Sequence, residues 1–384
     1  MIDVRLSFEV CGYVVAIAAM SYSLIAAFVV RRPIAFSPAE CARRPTVTIL
    51  KPLCGAEPET YECLRSFCEQ DYPDFQIVFG VSDPADPAVA IVQRLQSEYP
   101  ERALHLVAER RLHGSNRKVS NLINMMAVAH HEYLIISDSD VRVESDYIER
   151  VIAPLGDKRV GIVTCCYRGV PREGVWSNLG AMFINNWFIP SVRVAALLGF
   201  RSFAFGATIA IRREVLSSIG GFTAIVDQLA DDYRLGELTR RLGLRTVLSD
   251  VEVETIVAER SVGDLISHEL RWRKTIRMLA PSGYRFSFLT MGLPVTALQI
   301  ALTRGAAPAF GIFGVTVLSS TLLHFGVGKD KPMGATGAKL LLVPLRDLLH
   351  FGLWGWSFAT RRVQWREDHY HVTPDGTVEP VARV

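Results

Sequence analysis

Two carboxylates one residue apart close the run Tyr133-Leu-Ile-Ile-Ser-Asp138-Ser-Asp140, and the apolar residues before them read as a strand. In an open α/β sheet the ligand site lies beyond the carboxyl ends of the strands, which is where Asp138 and Asp140 fall. Hard oxygen donors in that place suit Mg²⁺ or Mn²⁺, which take one or two carboxylates and complete their shell with water and a diphosphate. The pair either clamps a metal and a diphosphate or shapes a turn, because so short a spacing carries little information alone.

Other residues offer related chemistry. Asp83 and Asp86 leave the strand expected over Phe75–Val81, just ahead of a helix opening at Pro87. They either accept hydrogen bonds from a ribose or nucleobase, or Asp86 caps that helix. The segment His113–Asn124 places Arg117 and Lys118 at a helix start, where cations and open N–H groups favour a phosphate; a solvated basic turn is the alternative. After the turn Gly220-Gly221-Phe222 come Asp227 and the adjacent Asp231 and Asp232. One of these acids is suited to take a proton from an acceptor hydroxyl, or else to cap a helix. Asp232 has the spacing to share an inward helix face with Leu235 and Gly236. Finally, His268-Glu-Leu-Arg271-Trp272 sets a planar guanidinium beside an indole. That pair suits a departing diphosphate or, together with Arg273, Lys274 and Arg277, anionic lipid headgroups.

The elements that must position these residues alternate between short β-rich runs and helical periodicity. Strands are expected over Thr46–Leu50, Phe75–Val81, Leu104–Val107, Tyr133–Ser137, Gly161–Thr164 and Phe205–Ile211. Helices are expected over Glu59–Glu69, Pro87–Tyr99 and Val119–His130. Such alternation calls for a parallel sheet with crossover helices. With no internal repeat, one α/β domain is expected from about residue 46 to residue 283.

Both ends of the chain are apolar. From Phe8 to Val30 the only charge is Glu9, and the run then meets Arg31 and Arg32, with Arg43 and Arg44 beyond. That length spans a bilayer at roughly 20 residues per crossing. Positive charge after the apolar core, rather than before it, indicates an uncleaved anchor (residues 8–30) with its C-terminal side in the cytoplasm. Phe286–Leu302, Pro308–Phe325 and Leu340–Ala359 form a C-terminal membrane region (286–359) of two or three helices, broken by Arg304 and by Lys329-Asp330-Lys331. Arg346, Asp347 and His350 are costly in lipid, so the last stretch is a crossing or a re-entrant or interfacial segment. Arg346 and His350 share a helix face there, fit for a polar lipid head or a structural ion pair.

Composition narrows the class. The 384 residues are 49% hydrophobic with net charge +3 and mean hydropathy +0.22. A balance so close to neutral lacks the basic face of a nucleic-acid binder. The seven cysteines, Cys41 among them, form no CxxC pair and so outline neither a zinc site nor a disulfide framework.

Taken in order, Asp86, Asp138, Asp232 and His268-x-x-Arg271-Trp272 resemble the acidic series and (Q/R)xxRW motif of processive and lipid-directed GT-A glycosyltransferases. More narrowly, the chain resembles glycosyltransferase family 21, which includes ceramide glucosyltransferases and bacterial hopanoid-biosynthesis enzymes. Leu50-Lys51-Pro52-Leu53-Cys54-Gly55, Asp71-Tyr72-Pro73, Asp86-Pro87-Ala88 and Ala230-Asp231-Asp232-Tyr233 fit that family, and His268 departs from its Gln or Arg. The resemblance implies a Rossmann-like GT-A domain between N- and C-terminal transmembrane helices, and inverting transfer of a hexose from a UDP-sugar to a lipid hydroxyl. It implies a divalent metal (Mg²⁺ or Mn²⁺) at Asp138 and Asp140, Asp232 as general base, and a donor site including Asp83, Asp86 and Lys118. Arg271, Trp272 and His268 would meet the leaving diphosphate. The implied donor sugar is N-acetylglucosamine and the implied acceptor a hopanoid polyol, with ceramide and UDP-glucose as the alternative. The implied location is the bacterial inner membrane, with the catalytic domain facing the cytoplasm. Two rivals share the same carboxylates: a processive polysaccharide synthase, for which so few crossings make a thin channel, and a membrane scaffold that binds UDP-sugar without turnover.

Overall fold

The computed structural model describes residues 4–32, 34, 44–57, 59–200, 203–327, 340–359, 362–365, 368–372 and 377–380. Cys41, Arg43 and Lys329-Asp330-Lys331 lie outside the described residues. The chain forms two compact units, one of 1–33, 169–199 and 257–369, the other of 34–168, 200–256 and 370–384.

The second unit is built on an eight-stranded sheet. Its strands are β1 (Val47–Leu53), β2 (Phe75–Val81), β3 (Ala103–Ala108), β4 (Tyr133–Ile136), β5 (Val141–Arg142), β6 (Val160–Pro171), β7 (Ile209–Arg212) and β8 (Arg245–Val257). They run in the order β3-β2-β1-β4-β7-β6-β8-β5. The first four are parallel, as the alternation of strand and helix requires. With them come α1 (Val4–Val29) of the other unit, then α2 (Thr60–Cys68), α3 (Ala88–Glu98), α4 (Arg117–Met125) and α5 (Tyr147–Ile152). Neighbouring strand residues face opposite sides: Ile49, Ile77 and Ile135 join one apolar cluster, whereas Leu50, Val78 and Ile136 join another. Burial on both faces is why these strands read as continuous apolar runs.

The all-parallel expectation fails beyond β4. β7 is antiparallel to both β4 and β6, and β5 is antiparallel to β8. Strand composition does not encode direction; the connections do, and between β6 and β7 the chain passes through α6 (Val175–Phe183), a π turn (Ile184–Phe188) and α7 (Ile189–Leu197). The strand expected over Phe205–Ile211 is also shorter. Thr208 N donates to the Phe205 carbonyl at 3.1 Å and Phe205 N donates to Thr164 Oγ1 at 2.9 Å. That tight reversal delays β7 to Ile209 and leaves Gly206 at its bend.

The remaining helices are α8 (Arg213–Ser218), α9 (Asp231–Arg241), α10 (Val262–Leu279), α11 (Pro281–Phe286), α12 (Gly292–Leu302), α13 (Ala307–Gly326) and α14 (Leu342–Trp356). Among the described residues two helical stretches are long and apolar enough to cross a membrane: Ser7–Val29 and Ala307–Gly326, with mean hydropathy 1.9 and 1.5. The apolar run Phe286–Leu302, expected as one helix, is bent: Pro281–Thr290 meets Gly292–Leu302 at 70°. Gly292 packs so closely on α1 and α13 that an added Cβ would lie 2.4 Å from Ser23 Oγ and 2.7 Å from Thr316 Cγ2. The 15 residues of α14 span roughly 22 Å at 1.5 Å per residue, short of a hydrocarbon core of about 30 Å. Its Arg346 and His350 do share an inward face. Glu269 Oε2 accepts from Arg346 Nη2 at 2.7 Å and from Arg273 Nη2 at 3.1 Å, and Arg273 in turn meets His350 Nδ1 at 2.8 Å.

Candidate active site

The carboxyl end of β4 carries Asp138, and the buried β1 residue Lys51 holds it there. Lys51 Nζ donates to Ser137 Oγ at 3.3 Å and to the Asp138 carbonyl. Its ammonium lies 3.8 Å from the centre of the Phe67 ring, a cation–π contact that suits a desolvated lysine. Burial pushes its pKa down to about 8. A lone lysine in the apolar strand Val-Thr-Ile-Leu-Lys-Pro-Leu was the signal for this role, because a fully buried cation needs partners.

Lys118 enters from the first turn of α4, whose N-cap Asn116 accepts from Val119 N at 3.1 Å. Its Nζ lies 2.7 Å from Asp138 Oδ1 and 3.5 Å from Asp231 Oδ2. Burial works against the charged amine, but Asp138, Asp231 and Asp232 outweigh it and hold the pKa above the usual lysine value. Arg117, expected beside it, is exposed at the same helix start.

Asp231 and Asp232 open α9. Asp232 Oδ2 accepts from Gly206 N at 2.9 Å and its Oδ1 from Tyr233 N at 2.7 Å. Burial and the neighbouring Asp231 charge push its carboxyl up to about 6, against the opposing pull of Lys118 and the two backbone N–H groups. Gly206 sits where these groups converge. A Cβ built on it would lie 3.0 Å from Asp138 Oδ2, 3.2 Å from Lys118 Nζ and 3.6 Å from Asp232 Oδ2. Asp138, Lys118 and Asp232 therefore surround one small space beside Gly206, which an added methyl would crowd.

Asp140 keeps an open side to solvent, and its Oδ2 accepts from Thr255 Oγ1 at 2.6 Å. Crowding by protein, then the charge of Asp138, raise its carboxyl above the usual range. Mutual repulsion between two acids that face solvent is the donor chemistry a divalent cation relieves. Among the described residues no group of three or more His, Cys, Asp and Glu is arranged for a metal. A cation on Asp138 and Asp140 would draw its other ligands from a diphosphate and water, as Mg²⁺ commonly does.

An aromatic wall adjoins the acids. Tyr167 meets Phe205 edge-on at 6.2 Å, and Phe205 stacks on Phe203 at 5.1 Å with 11° between planes. Burial, then the charges of Asp232 and Asp138, hold the Tyr167 phenol above its ordinary pKa. No spacing in the sequence singled these rings out, since Phe205 read as strand.

Asp83 and Asp86 are engaged in loop structure. Asp86 accepts from Gly55 N through both oxygens, at 3.0 and 2.8 Å, and from Ala88 N at 2.8 Å. It ties the loop after β1 to the start of α3. The exposed Asp83 accepts from Ala85 N at 3.0 Å and Arg110 Nη2 at 2.8 Å, which together hold its carboxyl below the usual range.

The other unit carries the last group of predicted residues on α10. His268 Nδ1 meets Glu259 Oε1 at 2.7 Å, and its ring packs edge-on against Trp272 at 4.3 Å. Trp272 in turn lies 5.6 Å from Phe183. Arg271 is half-buried one residue before it.

A model of the family described as Glycosyl transferase family 21 matches residues 11–378. Ceramide glucosyltransferase 3 of Caenorhabditis elegans is 23% identical, over 97% of this chain and 81% of that protein. The ceramide glucosyltransferase of Candida albicans is 32% identical over a segment covering 28% of this chain and 22% of its own length. Among solved structures, a mannosyltransferase of Pyrobaculum calidifontis in complex with GDP-Man and Mn²⁺ is similar with a TM-score of 0.51 at 22% identity. That likeness covers 92% of this chain and 95% of the other, and it is a likeness of fold. The α/β fold is GT-A.

Proposed function

The chain belongs to glycosyl transferase family 21, and from that membership we propose that it transfers a hexose from a UDP-sugar to a hydroxyl of a membrane lipid, with inversion. The observation that carries this reading is Asp232: a carboxylate raised to about 6, held by the Gly206 and Tyr233 N–H groups around the same small space as Asp138 and Lys118. A base with a pKa near working pH is both ionised and able to accept a proton.

In the proposed step Asp232 takes the proton of the lipid hydroxyl while that oxygen bonds to the anomeric carbon. The bond from that carbon to the diphosphate oxygen breaks, and UDP leaves with its electron pair. Asp138 and Asp140 would hold a divalent metal, which when bound neutralises charge on the diphosphate. Lys118 orients the Asp138 carboxylate and adds a cation to the donor site. Asp83 and Asp86 shape the loops we assign to the nucleoside. Arg271 and Trp272 receive the leaving diphosphate, and His268 replaces the family's Gln or Arg with an imidazole anchored by Glu259.

We place the anchor at 8–30, the GT-A domain at 46–283 and the C-terminal membrane region at 286–359, in a bacterial inner membrane with the catalytic domain cytoplasmic. Arg31, Arg32 and Arg44 after the first apolar helix support that orientation. For the acceptor, a hopanoid polyol with N-acetylglucosamine is one pairing. Ceramide with glucose is the second, supported by relatives named ceramide glucosyltransferases. Purified protein with Mn²⁺ is to be offered UDP-N-acetylglucosamine or UDP-glucose, with bacteriohopanetetrol or ceramide, and products identified by mass spectrometry. Either glycolipid supports lipid transfer and names the acceptor; a polymer, or no product from any pairing, refutes it.

A further inference from the structure

The unit formed by the terminal helices contains a cavity of about 30 Å³ with a mixed polar and apolar wall. Its wall includes Tyr22 and Ser23 of α1, Asn186 of the π turn, Thr290, Ser320 of α13 and Asp347 of α14. Polar groups among helices as apolar as α1 and α13 are costly unless they have a task.

The neighbouring charges are already matched. Arg346 is held by both oxygens of Glu269 and by the Leu179 carbonyl at 3.3 Å, and His350 by Arg273. Tyr22 Oη meets Ser191 Oγ at 3.0 Å, Asn186 meets His324 at 3.2 Å, and Thr290 Oγ1 accepts from Trp187 Nε1 at 2.8 Å. Asp347 and Ser320 have no hydrogen-bond partner among the described residues, and both line the cavity. A carboxylate and a hydroxyl turned into a small space call for a guest that donates O–H groups. One water centre needs about 10–15 Å³, so the space admits about two or three hydroxyl-sized groups.

We propose that this cavity receives a hydroxyl of the acceptor lipid other than the one that is glycosylated, with Asp347 accepting its hydrogen bond. The proposal rests on the lipid-acceptor reading and assigns that acceptor residues of its own.

The test uses the full chain in phosphatidylcholine nanodiscs carrying ceramide or bacteriohopanetetrol. Asp347→Asn, Asp347→Leu and Ser320→Val are compared with Leu348→Ala, a change on the exposed side of the same helix. Asp347→Leu is expected to raise the acceptor KM by about tenfold or more, as loss of a charged hydrogen bond does, while Leu348→Ala leaves it unchanged. A ceramide with a diazirine beside its hydroxyls is expected to label α14, in competition with unlabelled ceramide but not with its O-methylated form. An acceptor KM within twofold of the parent in all three cavity variants overturns the proposal even where lipid transfer stands. Should Asp347→Leu not fold, the other two variants decide. Should no lipid be glycosylated, the labelling decides: competition by hydroxylated lipid alone upholds the site, and labelling without competition refutes it.

Discussion

Asp232 takes its character from burial and an adjacent acid, which raise its pKa, from a lysine that lowers it, and from two backbone donors that also lower it and fix its orientation. Replacing it by Asn removes the base. We expect kcat to fall by about 10²–10⁴-fold, with donor binding intact by equilibrium titration. The thermal midpoint should stay close to the parent's, because relief of the repulsion from Asp231 offsets the one hydrogen bond an amide cannot accept. The raised pKa also sets the pH profile. Below about 6 the carboxyl is protonated and cannot accept, so kcat should fall with acid there and level off above. A profile flat down to pH 5 would remove Asp232 from the base role. Gly206→Ala offers a steric probe, since its Cβ would press on Asp138 and Lys118 at 3.0 and 3.2 Å. Steady-state assays should show kcat/KM at least about tenfold lower, the scale of small misplacements at a reacting centre. The acids and Lys118 were candidates in the sequence because they stand at strand ends and helix starts, where open α/β sheets bind ligands, although capping explained each one alone. Gly206 and Tyr167 were not, since a glycine and a tyrosine beside a strand have many ordinary uses and only the turn at Phe205–Thr208 brings them to the acids.

Strand ends and loops hold these residues through a few cross-links. Lys51 of β1 secures the Asp138 backbone of β4, so Lys51→Met should keep the buried volume yet free that strand end. A metal titration of activity is expected to require several-fold more Mn²⁺ in this variant; an unchanged metal requirement would leave Lys51 with a packing role. Asp86 joins the loop after β1 to α3. Asp86→Ala should cost about 1.5–3 kcal/mol, the range for hydrogen bonds to a charged group, measurable by thermal unfolding, together with a higher donor KM. The first four strands were legible because alternating helices force parallel neighbours, and Phe75–Val81 matches β2 at both ends. The later sheet was less so: β6 runs on to Pro171 and β8 from Arg245 to Val257, where polar residues such as Arg168 and Glu254 interrupt the apolar pattern and are buried as an ion pair. The 70° break before α12 was hidden for a related reason, since the bend lies inside one apolar run.

At the scale of the whole chain, long apolar helices stand at both ends of the sequence, and the acids lie in the unit between them in sequence. The protein should therefore stay in the membrane fraction after alkaline carbonate washing and enter solution only with detergent; release by carbonate would contradict membrane-spanning helices. Direct displacement at the anomeric carbon requires a lipid hydroxyl that Asp232 deprotonates. The most direct test is to reconstitute the chain in nanodiscs with Mn²⁺, α-linked UDP-hexose and the lipid acceptor, and to read the anomeric configuration of the product by NMR beside the same reaction with Asp232→Asn. A β-linked glycolipid formed by the parent and lost in Asp232→Asn is the predicted result; an α-linked product, or β-linked product at the parent's rate without Asp232, would contradict it.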